Sequence, residues 1–65
     1  MDKEQVLTMD PYILLSIVNM KLRDSFESFE GMCEEYDLEA DLLKKRLKII
    51  GYNYNPGNNQ FIAVD

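Results

Sequence analysis

The sequence predicts a mainly α (α+β) domain, a three-helix, helix-turn-helix-like bundle closed by a C-terminal β-hairpin in the layout of a winged helix. Three observations predict it. Asp10-Pro11 opens a stretch in which Leu14, Val18 and Leu22 recur every four residues, the spacing of one helix face. Two shorter helical patterns follow, broken at Asp37 and Gly51. Finally, Tyr52-Asn53-Tyr54 and Gln60-Phe61-Ile62-Ala63-Val64 flank the turn-forming run Asn55-Pro56-Gly57-Asn58-Asn59, which reads as a hairpin.

Taken in order, residues 1–9 show no long periodic pattern and are expected to be an N-terminal tail. Residues 10–65 are expected to form the single winged-helix-like domain. Asp10 suits the N-cap because its carboxylate accepts from free backbone amides, and Pro11 at the first helical position gives up no needed donor. This helix reaches about Arg23. Leu15 and Ile17 widen its apolar stripe beyond half the circumference, which predicts the central and most buried helix. Ser25 and Ser28 are both plausible caps, Ser28 the favoured one, for the second helix, Phe29 to Tyr36, with Phe29, Met32, Cys33 and Tyr36 on one face. Gly31 inside it costs about 1 kcal/mol relative to Ala, which implies a close approach to another helix. Asp37-Leu38 is a tight connection, since Asp tolerates unusual backbone angles. The third helix opens at Glu39 or Ala40 and reaches about Ile50, burying Leu43, Leu47 and Ile50. Gly51 follows as its C′ residue. A small Cys33, a turn residue four later, Leu38 next and anchors at Leu43 and Leu47 match what two steeply crossing helices need.

Composition narrows the function. Sixty-five residues make one domain with a small core. Cys33 is the only cysteine, so no internal disulfide forms, which points to a reducing, cytoplasmic setting. The N-terminus, with Asp2 and Glu4, does not read as a signal peptide. The longest apolar stretch, Ile13 to Met20, is interrupted by Ser16 and Asn19 and falls short of the ~20 residues of a membrane span. The net charge of −5 disfavours general nucleic-acid binding, which draws on phosphate neutralisation. The charge is polarised, however. From Asp24 to Asp41 every charged residue is acidic, whereas Lys44, Lys45, Arg46 and Lys48 follow without an acid.

The runs Asp10-Pro11-Tyr12 with Leu14-Leu15-Ser16, Asn19-Met20-Lys21-Leu22-Arg23-Asp24, Gly51-Tyr52-Asn53-Tyr54 and Asn59-Gln60-Phe61 resemble the bacterial domain-of-unknown-function family 4250. The resemblance covers nearly the whole chain after Thr8. It implies a small stand-alone bacterial protein of the cytoplasm, and it carries over no activity, cofactor or catalytic residue.

The chemistry-bearing residues are few. The chain has no histidine, which removes His-based acid–base catalysis and His-metal sites. Cys33 sits among acids that raise a thiol pKa, and reads as a small core residue. The acidic run lacks the alternating ligands and the glycine of a calcium loop. Gly31, Gly51 and Gly57 are too scattered for a phosphate loop. The chain is therefore expected to be non-enzymatic and to need no cofactor or metal.

Two polar groups remain as candidate contact sites. Asn19, Lys21, Arg23 and Asp24 end the first helix, where the basic pair also suits the negative end of the helix dipole and Asn19 is placed to bond a loop backbone. Asp41, Lys44, Lys45 and Lys48 share one face of the third helix, where a recognition helix meets a major groove. Asp41 and Lys45 are also spaced for an i,i+4 ion pair. The hairpin adds Tyr54 and, at a neutral tip, Asn58, residue types that suit protein contacts. Of two readings, the preferred one is a protein-interaction module that binds an unknown protein partner or itself, the latter as a homodimer. The alternative is a DNA-binding winged helix-turn-helix regulator that reads DNA with helix 40–50.

Overall fold

The computed structural model describes residues 1–64. It contains helices α1 (Lys3–Thr8), α2 (Pro11–Asp24), α3 (Phe29–Tyr36) and α4 (Ala40–Lys48), then strands β1 (Tyr52–Asn55) and β2 (Gln60–Ala63). The chain is thus mainly α with a small antiparallel hairpin at its C-terminal end. The strands pair in the register Tyr52 with Ala63 through Asn55 with Gln60. One core joins every helix and the hairpin: Val6, Leu14, Val18, Leu22, Phe29, Met32, Cys33, Leu43, Leu47 and Phe61 are buried.

The helix starts follow from local chemistry. The Asp10 carboxylate accepts from the Tyr12 and Ile13 amides, with Pro11 at the first helical position. Ser28 Oγ accepts from the Gly31 amide at 3.0 Å. Asp37 takes the left-handed conformation, φ 55°, in place of the glycine common in such turns, and the Leu38 amide donates to Cys33 O at 2.8 Å. Gly51, two residues beyond the Ile49 C-cap of α4, takes a left-handed conformation at φ 83°, which glycine adopts at little cost.

Four expectations need correction. Residues 1–9 are not a tail. Asp2 and Gln5 form a reciprocal capping box that starts α1, and Val6 is 1% exposed. Its C-terminal carbonyls are held from α4: Arg46 Nε donates to Val6 O at 3.1 Å, and Arg46 Nη2 donates to Met9 O. Gly31 does not serve a helix–helix contact. A Cβ there would meet Ser28 Oγ at 3.1 Å, so the glycine leaves room for the cap hydroxyl. α4 ends at Lys48, and Ile49 to Gly51 form a tight turn through Ile50 N to Leu47 O and Gly51 N to Lys48 O. Lastly, α2 buries only Leu14, Val18 and Leu22, while Tyr12, Ile13 and Met20 stand open to solvent. α3, α4 and β2 pack against α2, and its outward apolar residues stay exposed.

Two stability predictions arise here. Leu47 is fully buried, and Leu47→Ala should cost about 2–5 kcal/mol in chemical denaturation. A change under about 1 kcal/mol would show that the inward face of α4 is misassigned. Arg46→Ala removes a charge-assisted clamp and should cost about 1–3 kcal/mol. Amide exchange should then accelerate at residues 3–9 ahead of the core. Arg46→Lys restores the charge without the two-pronged geometry and should recover little. Unchanged exchange at residues 3–9 would mean that Val6 alone holds α1.

Candidate functional site

Helix α4 turns Leu43 and Leu47 inward, so Asp41, Lys44, Lys45 and Lys48 face out on the other side. β1 packs alongside this helix. The start of α3 closes the far side with Glu27, Ser28 and Glu30. Between them lies an open groove of about 760 Å³ whose hairpin wall is Asn53, Tyr54 and Pro56.

The groove is charge-balanced. Lys44, Lys45 and Lys48 stand against Glu27, Glu30 and Asp41. None of these is in an ion pair, since among the described residues the one salt bridge is Arg23–Asp24 at 2.9 Å. The expected Asp41–Lys45 pair is therefore not formed. An exposed pair of this kind gains little over the entropy of holding two side chains still. Lys44 Nζ instead lies 5.7 Å from the centre of the Phe29 ring, a cation–π contact.

Tyr54 is the fixed point of the groove. Its ring packs against Phe29 and Phe61 at centroid distances of 5.4 and 5.5 Å. Its hydroxyl donates to Asn59 Oδ1 at 2.6 Å and accepts from the Phe29 amide at 3.4 Å. The aromatic wall is thus tied into the core, while the six charged side chains beside it make no ion pair.

The other sequence candidates lie elsewhere. Asn19 is a structural residue: its Oδ1 accepts from the Phe61 amide at 2.8 Å and its Nδ2 donates to Phe61 O at 3.0 Å. It therefore caps the outer edge of β2 as a neighbouring strand would. The sequence points this side chain at a loop backbone; its partner is instead a strand, β2. Arg23 lies on the exposed end of α2 and makes a two-pronged pair with Asp24. This hydrogen bonding holds the Asp24 carboxyl below its usual range and the Arg23 guanidinium above its own. Lys21 reaches back to Tyr36 Oη at 3.0 Å. Asn58 is exposed at the hairpin turn and does not line the groove. Arg46, grouped by sequence with the basic stripe, is committed to α1.

Sequence reasoning missed the acidic wall, Glu27 and Glu30, because both read as part of one solvated run. It also missed the role of Asn59 and Gln60. Asn59 Nδ2 donates to Leu22 O and Phe26 O at 3.0 and 2.8 Å, and Gln60 Nε2 donates to Asn19 O at 3.0 Å. These two side chains latch the hairpin to the end of α2. Their signal was the Asn59-Gln60-Phe61 run itself.

Cys33 is 4% exposed. Burial, with Glu30 adding to it and Lys44 opposing, pushes its thiol up to about 11. In the folded protein Cys33 should therefore resist alkylation at a pH near the ordinary thiol pKa of about 8.5. Labelling should track unfolding in denaturant, and rapid labelling of the native state would overturn this placement.

No helix among the described residues is long and apolar enough to cross a membrane. No curated protein and no solved structure matches the chain. The family described as Domain of unknown function (DUF4250) matches residues 8–61, a span that takes in α2, α3, α4, β1 and the start of β2, and the chain belongs to that family.

Proposed function

We propose that this domain is a non-enzymatic, cytoplasmic protein-interaction module whose docking site is the groove between α4, the start of α3 and the hairpin. The observation that carries this reading is the groove's balanced set of three lysines and three carboxylates, none in an ion pair. Such a set complements a partner segment bearing both signs of charge, and Tyr54 offers an ordered ring for one of its side chains. Two features support the non-enzymatic part of this reading. The chain has no histidine, and its single thiol is buried and protonated.

A DNA-binding reading draws on one specific observation: the lysine face of α4 and the hairpin border the same groove, as a recognition helix and a wing would. Against it, Glu27, Glu30 and Asp41 share that groove and repel phosphate. The hairpin tip, Pro56 to Asn59, carries no base.

The two readings separate in one experiment. The folded protein is followed by amide-resolved magnetic resonance while it is titrated with mixed-charge peptides and, separately, with duplex DNA over a range of salt. Peptide-induced shifts centred on Lys44, Lys48, Asn53 and Tyr54, lost in the Lys44→Ala/Lys45→Ala/Lys48→Ala variant, support the interaction module. DNA binding that weakens steeply with salt and is lost in the same variant replaces it with the DNA reading.

A further inference from the structure

The outward face of α2 is a second unfilled surface, formed by other residues than the groove. At 3.6 residues per turn, Tyr12, Ser16 and Met20 lie opposite the buried stripe of Leu14, Val18 and Leu22, with Ile13 beside them. All four are exposed, Tyr12 by 59%, Ile13 by 56% and Met20 by 46%. From Pro11 to Met20 there is no charged residue, in a chain of net charge −5.

We propose that this face receives a second copy of the chain, giving a weak antiparallel dimer with its two-fold axis at Ser16. The charge pattern selects a like partner. Over α3 and the start of α4, two identical copies would set carboxylate against carboxylate, whereas two α2 faces meet without that repulsion. The ends of the helix are compatible as well. Arg23 and Asp24 neutralise each other at the end of α2, so an antiparallel pair sets no net charge there against Asp10 of the other copy and opposes the helix dipoles.

The spacing is self-complementary. Tyr12, Ser16 and Met20 stand at i, i+4 and i+8, large on either side of small. A two-fold axis at Ser16 lets the backbones approach there and lays each Tyr12 ring on the other copy's Met20 thioether, a favourable sulfur–aromatic contact. Ile13 fills the flank. Such an isologous contact closes on itself and does not propagate. Three half-exposed side chains of roughly 200 Å² each give on the order of 300 Å² per copy. That is below a standard interface, so the dimer is weak and reversible.

Sedimentation equilibrium from about 10 μM to 1 mM, a range suited to a weak complex, tests this. The apparent mass should rise towards twice the monomer. Ser16→Lys, which sets like charges at the axis, should weaken association at least tenfold with no change in helix content, because Ser16 is exposed. Ser16→Cys should form a disulfide-linked dimer under mild oxidation far faster than Glu34→Cys, since Cys33 is buried in both. A monomer at about 1 mM, association unchanged by Ser16→Lys, or equal cross-linking at the two cysteine positions would overturn the proposal. Association lost in the Lys44→Ala/Lys45→Ala/Lys48→Ala variant would also overturn it and move self-contact to the groove. Retained dimerisation in that variant separates this proposal from the groove reading.

Discussion

Phe29→Ala should lower the unfolding free energy by about 3–5 kcal/mol, enough to leave much of the protein unfolded without denaturant. The reason is the position of one ring. Phe29 is fully buried and lies at the first position of α3, where it meets both strands of the hairpin. Its ring is 5.0 Å from Phe61 with an interplanar angle of 81° and 5.4 Å from Tyr54. Removing it opens a cavity where α3 and the hairpin join, and also takes away the surface over which Lys44 sits. Native domains of ordinary size keep only about 5–15 kcal/mol in reserve, and small ones keep less. Phe29→Leu, which retains most of the apolar surface, should lose chiefly the ring–ring contacts, about 0.5–1.5 kcal/mol each. Circular dichroism across a urea titration of both variants checks this. Equal stability of the wild type and Phe29→Ala would show that the hairpin docks without this ring.

The order of elements and most of the core were legible because they rest on short-range rules. Asp10-Pro11, Ser28, Asp37 and Gly51 each act on the backbone within a few residues, and Leu14, Val18, Leu22, Leu43 and Leu47 follow helix periodicity. What escaped the sequence depends on distance. α1 is six residues long, too short for a periodic signal, and it is held by Arg46 some forty positions away. The Asp2–Gln5 capping box was the one local sign of it. The apolar stripe of α2 points to burial, but a stripe reports only that a face is apolar and not that anything covers it. Likewise Lys44, Lys45, Lys48 and Tyr54 line one groove and stand out in the sequence, whereas their acidic neighbours Glu27 and Glu30 approach only through the fold.

The same distinction explains why the residue runs that mark the family in this chain carry no visible chemistry. Asn19, Asn59, Gln60 and Phe61 are joined through 2.8–3.0 Å hydrogen bonds across about forty residues of sequence. They fix where the hairpin stands against α2. Tyr54, held by Asn59, is then fixed against α3. The polar residues that look most like a binding motif therefore shape the groove from behind, while the groove itself is lined by charged side chains outside any ion pair.

Asn59 is where that arrangement is most exposed to a single change. Its amide donates to two carbonyls at the end of α2 and just beyond it, its carbonyl accepts from Tyr54 Oη, and its backbone is left-handed at φ 55°. Asn59→Ala should cost about 2–4 kcal/mol, chiefly from half-buried groups left without partners, with a smaller contribution because Ala tolerates that conformation less well than Asn. Asn59→Gly removes the strain but not the lost bonds, so it should be about 1 kcal/mol less damaging than Ala. Asn59→Asp keeps the shape and the bond from Tyr54 while pointing a carboxylate at Leu22 O and Phe26 O. Those oxygens disfavour the charged form, so the folded-state pKa of the new carboxyl should lie above its unfolded value of about 3.9. A raised acid pKa destabilises the fold fully above the folded pKa, and the penalty fades as pH falls towards the unfolded one. The deficit of Asn59→Asp relative to the wild type should therefore shrink on acidification, while that of Asn59→Ala stays level. Urea midpoints of the three variants between neutral pH and about pH 4 distinguish these outcomes. A pH-independent deficit for Asn59→Asp would mean that water, and not the two carbonyls, faces this side chain.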